Sequence, residues 1–212
     1  VRECAAQLTR LAKQRHIVYP NQILPPTYAP YPTQYEWNIT LKDESRVFLR
    51  PIKPDDEPMM KEMFYSFSER TRYLRFHAPM KSFPHARLQV FCNIDYDQEL
   101  TLIGVVGQPG DEDVVALGCY LHDQGDNTAE VAFSVRDDWQ NKGLGAHLFR
   151  KLVDIGRERG IETFHAEVLS ENLPMLNVFH HSGVTVSTHV EGGVIHVTMG
   201  LNPGAATTKA EG

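Results

Sequence analysis

Cysteine is scarce: three in 212 residues, Cys4, Cys92 and Cys119. They are far apart and make no C-x-x-C pair, which excludes a disulfide framework and a cysteine-built zinc site. They are expected to be plain thiols, buried or superficial, in a reducing cytoplasm. Long apolar runs are also missing. None approaches the ~18 residues that a membrane helix needs, and the first residues carry no secretory signal pattern. Positive charge is in deficit, with 21 Lys and Arg against 27 Asp and Glu and a net charge of −6. A nucleic-acid or anionic-membrane partner needs a basic footprint, so neither is expected. There is no G-x-x-x-x-G-K-[ST] phosphate loop, no HExxH and no internal repeat.

What is present suffices for a folded domain. Hydrophobic residues make up 42% and charged residues 23%, ordinary for one large domain or one domain with an extension. Cys4, Leu8, Leu11 and Ala12 share a face, so Val1 to His16 is expected to be a short amphipathic helix. "YPNQILPPTYAPYPTQYEW" follows, with too many prolines for a helix or a central strand, and is read as an extended linker. The expected organisation is residues 1–37 as helix and linker, the tail of an upstream module; 38–203 as one domain; and 204–212 as a disordered tail. The absence of an initiator methionine at Val1 is in keeping with a piece of a longer chain.

Within the domain, the patterns alternate. "RVFLRPI" reads as a strand and "PDDEPMMKEMFYSF" as a helix with acidic residues at its start. Glu69 to Phe76 and Phe83 to Asn93 read as short helices. "LTLIGVVG", "VVALGCYLH" and "AEVAFSV" are β-rich runs separated by the turn signals "QPGDED" and "DQGDN", which predicts an antiparallel meander. "GAHLFRKLVDIGRERG" is an amphipathic helix closed by Gly160. "IETFHAEVL" is a strand, "MLNVFHHSG" a helix and "VIHVTMGL" a last strand. The fold class is α/β (α+β): a mixed, mostly antiparallel sheet of about six or seven strands flanked by about four helices, with one right-handed strand–helix–strand crossover.

The stretch "RDDWQNKGLGAH", Arg136 to His147, joins the third meander strand to the amphipathic helix. A helix N-terminus presents unpaired N–H groups and partial positive charge, and glycine lets a phosphate come close. Gly143 and Gly145 therefore suit a diphosphate, and equally a loose turn. The dinucleotide fingerprint G-x-G-x-x-G is not met, because Leu148 stands where its third glycine belongs.

"QNKGLG" resembles the Q/R-x-x-G-x-G/A signature of the GNAT superfamily of N-acetyltransferases. The resemblance extends over roughly Arg46 to Leu201 and is strongest from Glu130 to Gly183. It implies acetyl-CoA as cosubstrate. Gln140, Asn141, Lys142, Gly143, Leu144, Gly145 and Ala146 would hold its pyrophosphate. The backbone of Phe133 and Val135 would pair with the pantetheine arm, and Asn172 would contact that arm. Asn172 is also a good N-cap for the helix it opens, with Pro174 just inside; the two roles are compatible.

Acetyl transfer to an amine needs a base, since a lysine ammonium has a pKa near ~10.4. Alternation in "AEVAFSV" puts Glu130, Ala132 and Ser134 on one face and Val131, Phe133 and Val135 on the other. "AEVAF" resembles the strand whose glutamate is the general base of lysine acetyltransferases, so Glu130 is the expected catalytic residue, acting through a water. The tyrosine that many relatives place in the last helix as acid for the departing thiolate is Phe179 here, which cannot donate a proton. His180 and His181 are read as a solvated face. His165 and Glu167 form an H-x-E triplet, but no P-C-x-x-C follows it, so no metal is expected.

"LKDESRVFLRPIKPDDEP", "SERTRYLRF" and "NIDYDQEL" look like the acetyltransferase domain of bacterial Pat-type protein lysine acetyltransferases. This implies an exposed protein lysine as acceptor, for example on an acyl-CoA-forming enzyme. The alternatives are a small-molecule amine, or a catalytically silent acetyl-CoA-sensing domain fused to a CoA enzyme.

Overall fold

The structure is a computed structural model that describes residues 30–78, 82–122 and 126–202. The expected helix over Val1 to His16, the first part of the proline-rich stretch and the tail 204–212 lie outside the described residues. The strands are β1 (Trp37–Thr40), β2 (Arg46–Pro51), β3 (Glu99–Gln108), β4 (Asp111–His122), β5 (Thr128–Val135), β6 (Thr163–Leu169), β7 (Thr185–Glu191) and β8 (Val194–Gly200). The helices are α1 (Glu57–Ser66), α2 (Glu69–Phe76), α3 (His85–Cys92), α4 (Leu144–Glu158) and α5 (Leu173–His180).

All eight strands form one sheet, ordered β1-β2-β3-β4-β5-β6-β8-β7. Every neighbouring pair is antiparallel except β5 with β6, the two strands joined by α4. The class is the expected one; the described residues hold eight strands and five helices, against about six or seven and about four anticipated. The strands missed by pattern are β1 and β7, at the two edges of the sheet. β1 alternates Trp37, Asn38, Ile39, Thr40 over only four residues, too short a run to stand out beside the proline-rich stretch, and β7 is exposed at every position but Val186, with no buried face to show.

The sheet separates two cores. On one face α4 and α5 bury Leu148, Phe149, Leu152 and Phe179 against Val131, Phe133, Phe164 and Met199. On the other, α1, α2 and α3 bury Met63, Phe64, Phe76 and Leu88 against Ile103, Val105 and Leu117. Tyr35 is buried in the first core, and Trp37 pairs with Leu49 at the start of β1. The entry to α1 is held by a buried pair, with Arg50 donating twice to Asp56 at 2.7 Å. Asp56 also accepts from the Lys53 amide at 2.6 Å.

α4 lies so close to β4 that a Cβ at Gly118 would fall 2.9 Å from Cγ and Cδ2 of Leu148 and 3.0 Å from Cδ1 of Leu152. Both leucines are fully buried, so neither can swing away. Gly118→Ala is therefore expected to destabilise by about 1–3 kcal/mol through overpacking. Thermal unfolding measures this; a Tm equal to wild type would show that the contact yields freely.

Candidate active site

The site begins where β5 and β6 part. Their parallel register runs Thr128↔Thr163, Ala129↔Phe164 and Glu130↔His165, and then ends. β5 continues to Val135 against β4 alone, while β6 continues to Leu169 against β8 alone. The Arg136 amide donates to Val115 of β4 at 2.9 Å, so even-numbered residues here turn their backbone toward β4. By alternation, the backbone groups of Phe133 and Val135 face the slot between the separated strands. One of these is engaged: the Val135 carbonyl accepts from Nε2 of Gln140 at 3.1 Å.

The slot opens into a cleft of about 570 Å³, whose walls include Glu130, Ser134, Glu167, Asn172, Met175 and Phe179. Its far end is the β5–α4 loop. A 3-10 turn over Asp137–Trp139 leads into Asn141 at φ 62° and Gly143 at φ 89°. Those two left-handed residues turn the chain sharply before α4 starts. No atom lies within 4 Å of a Cβ placed on Gly143, so its backbone angle, not lack of room, calls for glycine. Among the described residues, none accepts from the six amides of Asn141 to Ala146; the first helical bond runs from His147 to Gly143 at 3.1 Å. Six consecutive free donors at the positive end of a 15-residue helix form an anion cradle. The Lys142 ammonium is held elsewhere, 2.9 Å from Asp43 and 4.6 Å above the Trp139 ring. Lys142 and Ser45 together lower the Asp43 carboxyl to about 2.

Glu130 stands at the apex of the slot, half-buried, opposite Leu121 of β4 and His165 of β6. Val131 and Phe133 point into the α4 core. Ser134, on the Glu130 face, is buried, and its hydroxyl has no partner among the described residues. Asn172 caps α5, its Oδ1 accepting from the Met175 amide at 3.3 Å; its Nδ2 donates to no described acceptor. Phe179 is 1% exposed and packs edge-on against Phe133 and Phe149 at 5.7 and 5.0 Å. His180 and His181 are exposed. His165 lies 3.3 Å from Thr198 and Glu167 lies 3.6 Å from His196, so the H-x-E triplet serves two separate contacts. Burial raises the Cys92 thiol to about 12, which keeps it protonated.

The cleft has a second wall that sequence reasoning did not anticipate: Arg70, Thr71, Leu74, Arg75 and His77, from α2 and its C-cap. Nothing in their spacing marks them, because α2 is brought to β5 only by tertiary packing. His77 is buried and sits at φ 53°, closing α2 with its amide on the Tyr73 carbonyl at 2.8 Å.

The acetyltransferase (GNAT) family model matches residues 60–184, from α1 to the turn before β7. An acetyltransferase of Pseudomonas aeruginosa is 28% identical over 139 residues, 66% of this chain and 75% of its own length. The acetyltransferase Pat of Mycolicibacterium smegmatis is 28% identical over 201 residues, 93% of this chain and 54% of that protein. This chain thus spans about half the length of that relative. Among solved structures, the GNAT domain of S. lividans PAT superposes with a TM-score of 0.72 at 29% identity, covering 79% of this chain and 98% of that one. The structure of yncA from Salmonella typhimurium with its cofactor acetyl-CoA has a TM-score of 0.58 at 18% identity, over 77% of this chain and 99% of that one, and shares the fold.

His77 makes a pH dependence readable. Burial, with the nearby Arg75 cation adding to it, holds the imidazole pKa below its ordinary 6.5. The unfolded chain therefore binds a proton below 6.5 that the folded one resists, so stability falls as pH drops through that value. Between about pH 7.5 and 5.5, wild type is expected to lose more Tm than His77→Gln; parallel Tm profiles would contradict it.

Proposed function

The chain belongs to the acetyltransferase (GNAT) family, and from that premise we propose that it transfers an acetyl group from acetyl-CoA directly to a protein lysine. The observation that carries the reading is the parting of β5 and β6. It leaves an edge of β5 with no strand beside it, leading from Glu130 to six loop amides that have no acceptor among the described residues. That is the shape and polarity of a linear amide-containing arm ending in a diphosphate. In this reading, residues 38–203 are the catalytic domain of a cytoplasmic protein, joined through 1–37 to an upstream module.

The amides of Asn141 to Ala146 hold the pyrophosphate, with Gln140 holding the loop by its bond to Val135. The backbones of Phe133 and Val135 pair with the pantetheine amides, and Asn172 adds its free Nδ2. The thioester then lies near the apex, beside Glu130. Glu130 takes a proton from the acceptor ammonium through a water. The freed amine attacks the thioester carbon and a C–N bond forms; the nitrogen sheds its remaining extra proton to water, the C–S bond breaks, and CoA leaves as thiolate. A protein lysine is favoured over a small amine by the similarity to the two Pat proteins, over 93% and 79% of this chain.

Glu130→Gln is expected to lower kcat by about 10²–10⁴, the usual worth of a general base, with acetyl-CoA affinity kept. CoA release with a lysine-bearing protein measures it, and unchanged turnover removes Glu130 from the base role. Gly143→Asp sets a carboxylate against the amide cradle and is expected to abolish acetyl-CoA binding in calorimetry; retained affinity would overturn the loop assignment. If spermidine or a free amino acid is acetylated faster than any lysine-bearing protein, the acceptor is a small amine.

A further inference from the structure

The first turn of α2 touches both lips of the slot. On the β5 side, Oδ2 of Asp137 accepts from the Ser68 amide at 3.0 Å. Its Oδ1 accepts from the Ser68 and Thr71 hydroxyls at 2.7 and 2.8 Å. Thr71 Oγ1 in turn accepts from Nε2 of Gln140 at 3.4 Å, the same nitrogen that donates to Val135. On the β6 side, Arg70 reaches Glu171, in the loop before α5, at 3.5 Å. The rest of α2 brings Leu74 and Arg75 into the cleft wall, with His77 behind them.

The two neighbouring aspartates of the loop do different work. Asp138 is satisfied locally by Arg136, at 2.7 and 3.0 Å. Asp137 instead spends both oxygens on residues 66 and 69 positions away. Ser68 is thereby doubly engaged, since its hydroxyl also caps α2 by accepting from the Thr71 amide at 3.1 Å. Burial opposes ionisation of Asp137, but the Ser68 and Thr71 donors outweigh it and hold the carboxyl below its ordinary range. It is an anion in the working pH range, and its bonds are charge-assisted. Asp137 stands three residues before the Gln140 that opens the amide cradle, so whatever settles the loop also settles the start of α2.

We propose that Asp137 is a positioning residue that fastens α2, the wall bearing Arg70, Leu74, Arg75 and His77, to the cosubstrate loop, so that filling the loop also sets the acceptor side of the cleft. This rests on the reading of the loop as the acetyl-CoA site. Asp137 touches no reacting atom; it acts through Ser68 and Thr71. Arg70 and Glu171, both exposed, form the weaker attachment on the opposite lip. The turn is therefore tethered firmly to the loop and lightly to the β6 side.

The test is amide hydrogen exchange on the full chain with and without acetyl-CoA, for wild type, Asp137→Ala and Thr71→Val. In wild type, acetyl-CoA is expected to slow exchange in both 140–147 and 69–76. In Asp137→Ala, 140–147 is still protected and 69–76 no longer responds. Thr71→Val, which keeps Asp137 and the Ser68 cap, lies between the two. Kinetically, Asp137→Ala raises the acceptor KM about tenfold while the acetyl-CoA KM moves less than about threefold. If 69–76 does not respond in wild type, or responds equally in Asp137→Ala, the coupling is wrong. So it is if both KM values rise together, which is what a loop that merely fails to fold would give. If 140–147 is unprotected in wild type, the acetyl-CoA site itself is misassigned, a result distinct from all of these.

Discussion

The parallel ladder between β5 and β6 stops after three residue pairs, and the rest of the site follows from that stop. Buried backbone groups are almost always paired, so a strand edge left open inside a fold is a demand on something else to supply the partner. Here the demand runs along Phe133 and Val135 and ends at the amides of Asn141 to Ala146. The parting has a mechanical cause. β6 is drawn away by its seven-residue pairing with β8, and β5 is held by seven pairs to β4. α4 and α5 keep the gap from closing by wedging aromatic rings beneath it, Phe133, Phe149 and Phe179 meeting at 5.0 to 5.8 Å.

That packing gives Phe179 a purpose of its own. Its ring packs edge-on against Phe133 and Phe149 at 5.7 and 5.0 Å. As phenylalanine, the residue is part of the support under the slot. On the Glu130 face, the Ser134 hydroxyl has no hydrogen-bond partner among the described residues.

Most of this was legible in the sequence where periodicity or a local motif carries the information. α4, with its apolar stripe from Leu148 to Ile155, and the meander strands β3, β4 and β5 stand out by pattern alone. The loop announces itself through two glycines at a strand-to-helix junction. That Glu130 shares a face with Ala132 and Ser134 could be read from alternation in one strand; its proposed role as base comes from the resemblance. The edges of the sheet could not be read, since β7 faces solvent almost throughout and has no pattern to show. Nor could the second wall of the cleft. Arg70, Thr71 and His77 look like ordinary residues of an amphipathic helix, and only the fold sets them across from β5. Asp137 was visible as an acidic residue before the loop, but its partners are 66 and 69 positions away. A lone sequence does not record such pairings, because no local rule connects the two ends.

The missing acid is less of a deficit than it first looks. For transfer of the proposed kind, two groups compete to leave the tetrahedral centre, an amine and a thiol. A lysine amine has a conjugate-acid pKa near ~10.4 and an ordinary thiol a pKa near ~8.5, so the thiolate is the better leaving group by about two units. Protonating it in the transition state gains little near neutral pH, where a thiolate already departs readily. Deprotonating the ammonium is different: without it the nitrogen has no lone pair, and no attack occurs. In the proposed reading, the carboxylate at the apex is the group on which the rate depends more steeply, and the position of the acid is given to core packing. On the same proposal, phenyl rings can line the slot on its α4 side, because the proton leaves on the Glu130 side.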